Sequence, residues 1–155
     1  MKNPSQVFWF VVRVFVGFVY AYAGFTKLIE PIENFRGSIM EYEFFPLALV
    51  PVIAHVIPWF EFIMGVFLLL GYAPKLSANA IALLSVGFVL LLASSDVLLK
   101  EGSKFCGCFG QNALIKLTVR QVFVMDCMIF FASLKMASLK KHIWSLDAVL
   151  VQKRK

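Results

Sequence analysis

The stretch VFWFVVRVFVGFVYAYAGFT, residues 7–26, carries a single charged side chain, Arg13. A bilayer's hydrocarbon core is about 30 Å thick, and a helix rising about 1.5 Å per residue crosses it in roughly 20 apolar residues. The run therefore has the length and character of a membrane crossing, and three later stretches repeat them. The spans read as about 7–28, 48–71, 75–99 and 118–139. His55 and Glu61 interrupt the second, Asp96 falls near the end of the third, and Arg120, Asp126 and Lys135 dilute the fourth. The whole chain is 61% hydrophobic and 15% charged over 155 residues. Soluble domains are nearer half apolar and a quarter charged, so one small core cannot hide this much apolar surface. The expected fold is an all-α integral membrane protein, a single domain built as a four-helix transmembrane bundle in contact with the lipid bilayer.

Lys2, the first apolar run and the Ala-Tyr-Ala triplet at 21–23 imitate a secretory signal peptide. That run is too long and is broken by Arg13, so it reads as an uncleaved span. With four spans, both termini share one side. That side carries Lys2, Lys75, Lys135, Lys140, Lys141, Lys153, Arg154 and Lys155, eight cations. The other carries six: Lys27, Arg36, Lys100, Lys104, Lys116 and Arg120. Cations favour the cytoplasmic side, so the termini are expected in the cytoplasm and the 100–117 connection on the outer face, the periplasm of a bacterium. The net charge of +6 is scattered between apolar runs, apart from the final Lys153-Arg154-Lys155, and does not form the stripe that nucleic-acid binding needs.

The first outer connection, EPIENFRGSIMEYE at 30–43, places Ile32, Phe35, Ile39 and Met40 at helical spacing after Pro31. It predicts a short amphipathic helix between the first and second spans, lying on the membrane with its apolar side down. The stretch HIWSLDAVLV at 142–151 is expected to float at the inner interface.

Charges at membrane depth turn inward and find partners. Counted from the span ends, Arg13 lies roughly 9 Å and Glu61 roughly 15 Å from the inner face, a gap an extended arginine can bridge. An Arg13–Glu61 ion pair is the expectation. Asp126 has no cation at matching depth. A contact with His55 would make it a proton route or a polar site for a quinone; failing that, the acid would stand in its neutral form.

The third connection contains KFCGCFGQN, residues 104–112. Two cysteines one residue apart can close a small, strained disulfide that is easily reduced, with Gly107 lending backbone freedom. Lys104 and Lys116 favour the thiolate that exchange requires. Two thiolates make only half a zinc site, and a bridge across one residue constrains little of the unfolded chain. Cys106 and Cys108 are therefore the candidate reactive pair, with plain structural thiols as the alternative. Cys127, in the fourth span, reads as a small packing residue.

These residues, taken together, resemble the MauE family of methylamine utilisation proteins within the wider DoxX-like group. The resemblance rests on Arg13 and Gly17, AGFTKLIEPIENF at 23–35, Tyr42 before Pro46, PWFE at 58–61, Gly65, LLLG at 68–71, CGCFG at 106–110, and Arg120. It implies a four-helix membrane bundle engaged in redox work in the bacterial cell envelope. It also implies a thioredoxin-like partner of the MauD type, or a disulfide-bonded client. The chain lacks the second cysteine pair of a DsbB-type relay, so direct exchange through Cys106 and Cys108 is expected, with quinone as an admissible acceptor that no residue demands. The second expectation is a non-catalytic membrane scaffold or assembly factor for a partner redox enzyme. A small-solute transporter fits Pro51 and Pro58, but no inverted repeat is visible.

Overall fold

A computed structural model describes residues 4–41, 46–94 and 117–139. It contains five helices: α1 Pro4–Ile29, α2 Ile32–Glu41, α3 Val50–Leu70, α4 Pro74–Ser94 and α5 Val119–Ser138. All but α2 are long and apolar enough to cross a membrane, and no strand occurs among the described residues. The expected all-α fold of four crossings with a short helix after the first is the fold observed.

α1 and α3 form the tightest pair, and small residues set their register. A Cβ added to Gly24 would fall 2.5 Å from the Phe62 amide nitrogen and 2.7 Å from the Pro58 carbonyl oxygen. One added to Gly17 would fall 2.9 Å from Leu69 and 3.0 Å from the Gly65 carbonyl oxygen, and Gly65 in turn lies against Ala21. Only glycine lets the two backbones approach this closely, which is how helices associate in lipid, where no hydrophobic force drives them together. Later residues of α1 meet earlier residues of α3, so the two run antiparallel.

A tight turn joins α3 to α4. Gly71 takes the left-handed conformation at φ 69°, its N–H donates to the Leu68 carbonyl at 3.2 Å, and the Tyr72 N–H donates to Phe67 at 2.9 Å. Pro74 then opens α4 at the position where a missing N–H costs nothing. α5 starts from Thr118, whose hydroxyl accepts the Gln121 N–H while the Gln121 side chain accepts the Thr118 N–H, a reciprocal cap. Its buried residues, Val119, Val122, Asp126, Ile129, Ser133 and Met136, recur every three or four positions and face α4 and α1. Leu92 of α4 packs near Val119 and Val122, and Ala78 and Ile81 near Ile129 and Met136, so this pair is antiparallel too. Phe8, Val11, Phe15 and Phe18 of α1, and Met128 and Phe131 of α5, stay more than half exposed on the outside, the side turned to lipid.

The apolar side of α2 is covered by protein. Phe35 and Ile39 pack on Val50 and Ala54 at the start of α3. Met40, the fourth apolar position of that helix, is left 44% exposed, and Arg36 points outward. One end of the bundle therefore gathers the close of α1, all of α2, and the start of α3. The last described residue of α4, Ser94, and the first before α5, Leu117, reach the same end. The Cys106–Cys108 motif, Lys104, Lys116, the third span beyond Ser94 and the stretch around Trp144 lie outside the described residues.

A buried ionic cluster as candidate functional site

Within the apolar bundle a small set of polar side chains is almost completely withdrawn from solvent. Lys27 and Glu61 are 4% and 1% exposed. The Lys27 ammonium donates to both Glu61 carboxylate oxygens, at 2.8 and 2.7 Å. Helix geometry explains why they meet. Side chains on a helix lean toward its N-terminus. On antiparallel α1 and α3, Lys27 leans down into the bundle and Glu61 leans up, each toward the other. The ammonium also sits 4.9 Å from the centre of the Phe35 ring and 5.2 Å from that of Phe88. Both rings stabilise a cation through their negative faces, and Phe35, from α2, stands between the ion pair and that end of the bundle.

Two turns deeper along α1, the Tyr20 hydroxyl lies 2.7 Å from the Ser85 hydroxyl of α4 and donates a long hydrogen bond, 3.5 Å, to Asp126 of α5. Tyr20, Ser85 and Asp126 are buried. Between this group and the ion pair lies a cavity of about 20 Å³, lined by Tyr20, Lys27, Glu61, Asp126 and Phe88 among others. That is room for one water.

The structure pairs Glu61 with Lys27, and the expected Arg13–Glu61 pair does not form. The glycine register is the reason: Gly17 lies opposite Leu69, so Arg13, one turn earlier, is more than about 12 Å along the axis from Glu61. Arg13 is nonetheless buried, 1% exposed, with its guanidinium 5.1 Å from the Phe10 ring. The His55–Asp126 contact is likewise not formed. His55 is exposed, its Nδ1 is 2.9 Å from the Pro51 carbonyl oxygen one turn back, and the bond to Asp126 comes from Tyr20. Arg120 is exposed in the first turn of α5. Cys127 is a free, partly buried thiol, and Cys106 and Cys108 lie outside the described residues.

Sequence reasoning therefore found both acids and missed Lys27, Tyr20 and Ser85. A signal was present. Arg13, Gly17, Tyr20, Gly24 and Lys27 recur every three or four residues, one inward stripe of α1 that carries Lys27 to the same face as the packing glycines. Chemically, the cluster offers one fixed cation, two carboxyl groups and two hydroxyls around space for a water, in surroundings where net charge is costly.

The family model described as Methylamine utilisation protein MauE matches residues 5–136, and the chain belongs to that family. No curated protein and no solved structure matches it.

Proposed function

We propose that this MauE-family membrane protein serves methylamine utilisation as a thiol–disulfide exchange component of the bacterial inner membrane. Its termini face the cytoplasm and the 100–117 connection faces the periplasm. The observation that carries the reading is the Cys106-Gly107-Cys108 motif itself, in the connection between the third and fourth crossings of a lipid-embedded bundle. Such a short bridge is strained, and strain makes a disulfide readily reduced. The periplasm is where disulfides form and persist.

The exchange proceeds in two displacements. A thiolate of a client or thioredoxin-like partner attacks one sulfur of the Cys106–Cys108 bridge. The S–S bond breaks, a mixed disulfide forms and the other cysteine leaves as a thiolate. The second client thiolate then attacks the mixed disulfide. The client gains an S–S bond, and the Cys-Gly-Cys pair keeps the two electrons as a dithiol. An oxidant must reform the bridge and accept two electrons and two protons: the disulfide of a thioredoxin-fold partner, or a quinone reduced to quinol.

The test is capture. Replacing Cys108 with Ser leaves Cys106 without its resolving partner, and a mixed disulfide should accumulate, visible on non-reducing gels and identifiable by mass spectrometry. The reciprocal Cys106→Ser variant shows which sulfur is attacked. If neither single variant traps a partner, and the double serine variant still supports growth on methylamine, the protein is a scaffold for a partner redox enzyme, held together by its buried cluster.

A further inference from the structure

The cluster in the bundle interior has a charge count that does not close. Lys27 supplies one positive charge, and Glu61 holds it with both carboxylate oxygens, so that pair is neutral by itself. Asp126 is the second acid on the same cavity, 4% exposed, and no other cation among the described residues lines that cavity. It is bonded by Tyr20, and the other charged or polar groups on the cavity are Lys27 from α1 and Glu61 from α3; α4 contributes Phe88 to the lining and Ser85, which is bonded to Tyr20. An ionised Asp126 would leave the cluster with a net negative charge at a depth where one charge costs about 2.5–3.5 kcal/mol to insert. One proton removes it without disturbing the ion pair.

We propose that this cavity is a proton-binding site. Asp126 holds an exchangeable proton, and one water in the cavity links its carboxyl group to the Lys27–Glu61 pair. The free volume is that of a single water, and the walls give it more than the two polar partners a buried water requires. The site holds or releases its proton whether or not Cys106 and Cys108 exchange, so the two readings fail separately.

Infrared difference spectroscopy on the full-length protein in lipid nanodiscs reads the proton directly. At neutral pH the wild type should show the C=O band of a protonated, non-hydrated carboxyl group. That band should shift on transfer to D₂O and vanish in Asp126→Asn. Tyr20→Phe, which removes the hydroxyl bonded to Asp126, should keep the band and move its frequency; this covers the case in which D126N does not fold. Unfolding gives a second readout. A folded state that binds one more proton than the unfolded chain loses stability as pH rises above the ordinary Asp range, about 3.9. The wild-type Tm should therefore fall with rising pH, and D126N, a neutral isostere, should lose most of that slope. The proposal is overturned if the wild type has no such band, if the band does not exchange in D₂O, or if it survives unchanged in both variants.

Discussion

Replacing Gly24 with Ala adds one methyl group at the closest approach of α1 and α3. The new Cβ would lie 2.5 Å from the Phe62 amide nitrogen, 2.7 Å from the Pro58 carbonyl oxygen and 2.9 Å from the Phe62 Cα. All three are backbone atoms, so no side chain can swing away. Reaching ordinary contact at 3.4 Å requires the helices to part locally by 3.4 − 2.5 = 0.9 Å. Overpacking of this kind costs about 1–3 kcal/mol, and alanine's better helix propensity returns up to about 1. The net loss is expected at about 1–2 kcal/mol. The strain falls one turn from Lys27 and one residue from Glu61, so the ion pair should loosen with it. Gly37 and Gly87 are matched controls, since a Cβ at either meets nothing within 4 Å. Gly37→Ala should be neutral or stabilising by up to about 1 kcal/mol. Reversible unfolding in mixed micelles, followed by circular dichroism, measures all three variants. If G24A proves as stable as G37A, close glycine packing does not set the α1–α3 register.

Other perturbations follow from the same geometry. Lys27→Met or Glu61→Leu leaves a buried charge uncompensated and should cost about 3–5 kcal/mol, while the double variant should recover much of that loss; equal losses for singles and double would refute a coupled pair. Tyr20→Phe leaves the fully buried Ser85 hydroxyl without its 2.7 Å partner, and should lower stability by about 1–3 kcal/mol in the same unfolding assay. Thr118→Ala removes the hydroxyl that accepts the Gln121 N–H, one half of the cap that starts α5, and should cost about 1 kcal/mol, with faster amide exchange confined to the first turn of that helix.

The four crossings were legible because lipid imposes a length and a composition that few other environments demand, and each run met both. α2 was legible from four apolar residues at helical spacing, although its apolar side is taken up by α3. Glu61 and Asp126 stood out as acids in apolar runs. The partner of Glu61 did not, because depth counted from the ends of two spans assumes that those ends are level. In the structure, Gly17, Gly24 and Gly65 fix how far α1 slides along α3, and that slide brings Lys27, not Arg13, to Glu61. Lys27 was counted among loop cations because it lies near the end of its run, where a charge reads as the boundary. Tyr20 and Ser85 were hidden by chemistry, since a tyrosine and a serine are unremarkable in a membrane helix until a cross-helix partner is known.

The sharpest measurement concerns the sulfur pair. The purified protein, with Cys127 replaced by Ser, is equilibrated across a series of glutathione or dithiothreitol redox buffers. The state of Cys106 and Cys108 is then read by the mass added on alkylation. An exchanging pair gives one two-electron transition, with a tenfold change in ratio for about every 30 mV, between fully bridged and fully reduced forms. Thiols that stay reduced throughout, or a bridge that no buffer opens, would contradict the exchange role and leave the protein a scaffold.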